Sequence, residues 1–269
     1  MKRELVGRRI LITGASRGIG RALAKQAALQ GARVAFTART APRLHEQAQA
    51  IVARGGEALP IPADITVAAD RQRLLQTVVD HFGGLDVLIN NAGIASWCHF
   101  LQSSEEVVRQ ILEVNFFAPA ELIRLAIPLL SRGHEPAILN IASLCGRRGL
   151  PGWSEYSASK FALCGLTEAL RGEMARFDIS VLLVVPGLTQ TDLFEHLLRS
   201  EGRAHLQHDK AMPPEWVARQ ILEALRHNRP EVVLGQDAVW MLRLHRFFPG
   251  LVDWLLRRHI RQLYEEPAA

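Results

Sequence analysis

The chain has 269 residues, 48% of them hydrophobic, enough for one large α/β domain or two small ones with a sizeable core. Its net charge of +5 comes from 32 Lys and Arg interspersed with 27 Asp and Glu, which argues against a nucleic-acid-binding tract and leaves only a weak pointer to an anionic ligand or surface. Cys98, Cys145 and Cys164 are odd in number and lack CxxC spacing, which excludes a disulfide scaffold, gives no metal site and fits reduced thiols in a cytoplasm.

The N-terminal MKRELVGRRILITGAS is basic, but its apolar piece is short and meets a glycine-rich turn, unlike a signal peptide. No stretch approaches the roughly 18 to 20 apolar residues of a spanning helix. From there, short β-rich runs alternate with helical patterns. RRILIT precedes a helix from Gly18 to Gln30, RVAFTA one from Pro42 to Arg54, and ALPIPA one from Val67 to Phe82. LDVLIN precedes a long helix from Ser104 to about Leu130, AILNIA the helix that carries EYSASKFAL, ISVLLVV one from Pro214 to His227, and EVVLG closes the series. Several strands are apolar on both faces, as in a sheet covered on both sides. The expectation is an α/β fold, a Rossmann-type, doubly wound, seven-stranded parallel sheet flanked by helices. One catalytic domain spans 1–237 and includes a polar loop, 188–213, too long for a plain connection and read as a lid or substrate loop. An amphipathic extension, 238–269, follows.

TGASRGIG, residues 13–20, links the first strand to the first helix. Gly14, Gly18 and Gly20, with Ser16, Arg17 and Ile19 between them, allow a tight turn whose helix amides face an anion, and a pyrophosphate fits there. The second strand ends with Ala38 and Arg39, where dinucleotide sites usually place a carboxylate for the ribose 2′-OH. Arg39, with Arg17 as second cation, suits a 2′-phosphate and favours NADP(H) over NAD(H). Asp64, after the third strand, either accepts from an adenine amino group or caps the next helix. Asn90, Asn91, Ala92 and Gly93 stand at the carboxyl edge of the fourth strand, where ligands bind in such sheets.

Ser143 is the hydroxyl delivered by the fifth strand. Tyr156 and Lys160, one helical turn apart, share a face. A free phenol titrates near 10, so activity at neutral pH calls for about 3 to 4 kcal/mol of phenolate stabilisation, within reach of a lysine and a cationic nicotinamide.

TGASRGIG, NNAG, Asn115, Ser143, Tyr156–Lys160 (YSASK) and PGLTQT from Pro186 to Thr191 stand in the order and approximate spacing of the short-chain dehydrogenase/reductase family, which the chain resembles over about residues 7 to 237. The resemblance implies that Tyr156 is the general acid in carbonyl reduction and the base in alcohol oxidation. Ser143 fixes the same oxygen. Lys160 binds the nicotinamide ribose hydroxyls and lowers the tyrosine pKa, and Asn115 holds a water that joins the lysine to solvent, or is a satisfied core amide or kink residue within its apolar helix. Pro186 and Gly187 bring backbone near the nicotinamide, while Thr191 and Thr189 contact its carboxamide or a phosphate. A homodimer or homotetramer built partly through the long helices is also implied.

The expected substrate is a ketone or aldehyde, or the corresponding alcohol, on a hydrophobic body, with Leu144, Leu150, Trp153 and Phe194 either on its pocket or packed beneath their own loops. Arg147 and Arg148 either meet an acidic substrate or face water. The leading function is an NADPH-dependent carbonyl reductase. The alternatives are an alcohol or hydroxysteroid-type dehydrogenase working oxidatively and a non-catalytic NADP(H) sensor, which would not require the full set of Ser143, Tyr156, Lys160 and Asn115. The tail, with five arginines between 243 and 261 among aromatic and aliphatic residues, either lies on an anionic membrane through 238–264 or packs on its own domain or a partner subunit. Localisation is expected to be cytoplasmic, with or without that peripheral contact.

Overall fold

Each β-rich run can rejoin a parallel sheet only by a helix crossing one of its faces, and the chain supplies such a helix after every strand. The computed structural model describes residues 2–201 and 211–265. β1 (Arg9–Thr13) leads into α1 (Gly18–Leu29), β2 (Arg33–Ala38) into α2 (Ala41–Val52), and β3 (Glu57–Pro62) into α3 (Ala68–Phe82). β4 (Val87–Asn90) is followed by α4 (Glu105–Leu112) and α5 (Ala118–Leu130), and β5 (Ala137–Ile141) by α6 (Ser154–Glu173). β6 (Ser180–Pro186) precedes α7 (Pro214–Arg226), and β7 (Glu231–Leu234) precedes α8 (Gln236–Phe247) and α9 (Pro249–Glu265).

The strands form the expected seven-stranded parallel sheet, in the order β3-β2-β1-β4-β5-β6-β7. Val34, Ile89 and Val184 pack with Leu23 of α1, Leu44 of α2 and Ile221 of α7 on one face; Leu11, Leu88 and Ile138 pack with Leu74, Leu122 and Leu170 of α3, α5 and α6 on the other. Pro60 and Pro62 sit in β3, where an edge position tolerates the missing amide hydrogens. From β1 the chain winds outward to β2 and β3, then returns to add β4 on the opposite side. The reversal opens a crevice at the carboxyl ends of β1 and β4.

The structure adds detail at three places. The long helix from Ser104 to Leu130 is α4, a π turn at Glu113–Phe117 and α5, with Ser104 as N-cap accepting from Val107 N at 3.3 Å. The tail after β7 consists of two helices, α8 and α9. Of the 188–213 loop, residues 202–210 lie outside the described residues; its described ends are tied down by Thr189 pairing with Met212 and Ser200 with Trp97. Among the described residues no helix is long and apolar enough to cross a membrane.

Candidate active site

At the β1–α1 turn the backbone approaches its neighbours more closely than any side chain would permit. Gly14 has φ +66°, and a Cβ there would lie 2.6 Å from Ala92 Cα. Gly20 is buried beneath the turn, where a Cβ would meet Gly14 O at 2.3 Å and Asn91 Nδ2 at 2.4 Å. Gly20, expected in the cofactor contact, packs α1 against the sheet beneath the turn. Asn91 closes the same junction, donating from Nδ2 to Thr13 O and Gly14 O, both at 2.9 Å.

The turn opens into a cleft of about 1000 Å³ that runs along the carboxyl edge of the sheet. Gly14, Ser16, Arg17, Gly18 and Ile19 wall its first end, joined by Arg39 and Arg43. Burial and the neighbouring Arg43 and Arg39 lower the Arg17 pKa, against the pull of Asp192 and Glu195. Among the described residues none of these three guanidiniums closes an ion pair with a carboxylate. Asp64 lines the cleft next to them. Its Oδ1 accepts from Thr66 N at 2.9 Å and Thr66 Oγ1 at 2.7 Å, and it does not cap α3, whose N-cap is Val67. A glycine cradle at a helix N-terminus with cations beside it fits a dinucleotide phosphate group.

Asn91, Ala92, Gly93, Pro186, Gly187 and Thr189 line the same cleft as Ser143, Tyr156 and Lys160, and Thr191 lines it against the glycine turn, where a Cβ on Gly18 would lie 3.1 Å from Thr191 Cγ2. β5 delivers Ser143, whose Oγ caps the following turn by accepting from Cys145 N at 3.2 Å. α6 delivers Tyr156 and Lys160 one turn apart, both buried. Lys160 Nζ donates to Ile141 O at 3.0 Å and lies 5.7 Å from the centre of the Tyr156 ring. Burial pushes the Lys160 pKa down to about 8. Burial and the neighbouring Cys145 push the Tyr156 phenol above its ordinary value, while its hydrogen bond with Ser143 works the other way. Desolvation of the phenolate outweighs the Ser143 contact, so the lowering expected from the lysine and a cationic nicotinamide does not come from these neighbours.

Asn115 does not line the cleft. It is buried in the π turn behind Gly93, with Oδ1 accepting from Ile94 N and Nδ2 donating to Ile94 O and Ser159 Oγ, each at 2.9 Å. A Cβ on Gly93 would lie 3.3 Å from Asn115 Oδ1 and 3.5 Å from Lys160 Nζ, so both side chains converge on one point of the wall.

The far end is apolar. Leu144, Leu150, Trp153 and Phe194 are on the cleft as expected. Trp153 meets Tyr156 edge-on at 5.9 Å and Phe194 at 5.8 Å, and Trp97 stacks behind it at 5.9 Å. Arg147 and Arg148 do neither of the things expected of them: Arg147 pairs with Glu168 and Glu231, and Arg148 with Asp253 of α9. Sequence reasoning missed Arg43, Trp97, Leu193 and Leu197, all single residues in loops or on a helix start, where only tertiary placement reveals their partners. Among the described residues no group of three His, Cys, Asp or Glu could hold a metal.

The model for the family described as short chain dehydrogenase matches residues 8–202. An uncharacterized oxidoreductase of Bacillus subtilis is 34% identical over 93% of this chain and 71% of its own. The ketoacyl reductase HetN of Nostoc is 33% identical over 94% of this chain and 89% of its own. Among solved structures, a short-chain dehydrogenase/reductase from Burkholderia phymatum in complex with NAD superposes with a TM-score of 0.84 at 25% identity, over 93% of this chain and 96% of that one.

Proposed function

The chain belongs to the short-chain dehydrogenase family, and from that premise we propose an NADPH-dependent reductase of a ketone or aldehyde on a hydrophobic body, running reversibly. The observation that carries this reading is the convergence of Ser143, Tyr156 and Lys160 on one cleft, between a glycine-and-arginine end and an aromatic end. NADPH, when bound, supplies the hydride.

Ser143 and Tyr156 hold the carbonyl oxygen by donating hydrogen bonds, and Tyr156 gives its proton to that oxygen as the alcohol forms. A phenol raised by burial stays protonated at neutral pH and is ready to donate. Lys160 directs its ammonium to the ribose hydroxyls, with Asn115 fixing the wall beside it. Pro186 and Gly187 close over the nicotinamide end, and Thr189 and Thr191 meet its carboxamide or a phosphate, Thr191 from its place against Gly18. Trp153, Leu150 and Phe194 exclude water and take up the apolar body of the substrate. The relative named a ketoacyl reductase supports the reductive direction. The Burkholderia protein is in complex with NAD, whereas here β2 ends at Ala38 and Arg39 follows it, with Arg17 and Arg43 on the same cleft, an arrangement suited to a 2′-phosphate.

A panel of hydrophobic ketones and aldehydes, followed by nicotinamide absorbance with NADPH and with NADH, tests the proposal. Turnover is expected with NADPH and much less with NADH, and Tyr156→Phe should lower kcat by about 10² to 10⁴ while NADPH still binds. No turnover on any carbonyl, or a Tyr156→Phe variant with unchanged kcat, refutes it.

A further inference from the structure

The tail after β7 has two apolar faces, and only one is in use. Along α9, Val252 is buried and Leu256 and Ile260, four and eight residues on, are half-buried, so this stripe lies against the rest of the fold. Asp253 beside it pairs with Arg148. The opposite stripe leaves Leu251, Trp254 and Leu255 in solvent, and the joint with α8 adds Phe247 and Phe248, 70% and 60% exposed. So many large apolar side chains clustered on a surface mark an interaction site. Arginines share the same side. Arg258 lies 5.5 Å from the Trp254 ring and Arg246 5.9 Å from Phe247, and on α8 Arg243 lies 5.5 Å from the exposed Trp240.

We propose that α8 and α9 dock this protein on an anionic membrane surface, with the aromatic and leucine side chains entering the headgroup region and the arginines meeting lipid phosphates and carboxylates. Indole and guanidinium side by side suit an interface that is apolar on one side and charged on the other. Charge selects this occupant over a second copy of the chain. The two helices hold five arginines against Asp237, Asp253 and Glu265, and Asp253 is already paired. Two such faces brought together would oppose like charges, whereas an anionic bilayer supplies the missing counter-charge. Arg148 also ties α9 to the loop whose Leu150 and Trp153 wall the apolar end of the cleft, so docking sets that loop beside the lipid surface.

Cosedimentation of the full chain with vesicles of equal parts phosphatidylcholine and phosphatidylserine, compared with phosphatidylcholine alone, tests this. Binding is expected only to the anionic vesicles and should weaken with salt. Arg257→Gln with Arg258→Gln should lower it about thirtyfold, roughly fivefold for each charge. Phe248→Ser with Trp254→Ser should abolish it, and because all four positions are exposed both variants should keep the parent unfolding temperature. Absence of binding, or equal binding to neutral vesicles, overturns the proposal. So does an aromatic variant that loses oligomer mass and keeps its vesicle affinity, which would identify the face as a contact between copies.

Discussion

Lys160 keeps its ammonium in a place that water barely reaches, donating to Ile141 O at 3.0 Å. Burial favours the neutral amine and brings the pKa down to about 8, against an ordinary lysine near 10.4. A lowered pKa means the charge is present below about pH 8 and lost as pH rises through it. On the proposed role at the ribose, the affinity for NADPH should be level below that point and fall above it, in a fluorescence titration across the range. Lys160→Met should bind weakly at every pH and show no such fall. An affinity for the parent protein that stays flat well past pH 8 would remove the ammonium from the ribose contact. The Tyr156–Lys160 pair was legible in the sequence because i and i+4 share a helix face whatever surrounds the helix. The direction of the tyrosine shift was not, since it depends on Trp153, Cys145 and the depth of the cleft wall, which α6 alone does not contain.

Within elements, two glycines in helices show how local propensity and packing part company. Replacing a helical glycine by alanine ordinarily stabilises by about 0.5 to 1 kcal/mol. Gly165, exposed in α6 with nothing within 4 Å of a new Cβ, should follow that rule, and Gly165→Ala should raise the unfolding temperature. Gly20 in α1 should reverse it. Its Cβ would stand 2.3 Å from the Gly14 carbonyl oxygen, and backbone cannot swing aside as a flexible side chain does. Gly20→Ala should cost about 1 to 3 kcal/mol, read by denaturant unfolding. A Gly20→Ala variant as stable as its parent would show the turn to be free to move. The glycine pattern itself was readable because strand, turn and helix follow in order. The π turn at Glu113–Phe117 was not: RQILEVNFFA carries an ordinary helical apolar period, and only the capture of Asn115 by Ile94 and Ser159 registers the extra residue.

Across the whole molecule, the alternation of strands and helices already implied a parallel sheet, and the handedness of crossovers leaves few ways to order it. The place of the tail was outside that logic, because α8 and α9 add no strand and have no crossover rule to obey. Their position is set by contacts that only the folded domain supplies. Ala238 fits against Gly187, Val252 is 1% exposed, and Arg148 reaches Asp253. The ion pair is half open to solvent on its acidic side and contributes at most about 1 kcal/mol. Val252 is therefore the stronger tether. Val252→Ala removes two methyl groups from a buried site, worth about 1.6 kcal/mol, without touching the cleft. The expected result is an α9 that opens more often, so that trypsin cuts after Arg257 and Arg258 several-fold faster while turnover of a small carbonyl substrate stays at the parent rate. Cleavage at the parent rate would mean that α9 is held chiefly by its half-buried Leu256 and Ile260, and a fall in turnover would mean that the tail supports the cleft through the Arg148 loop.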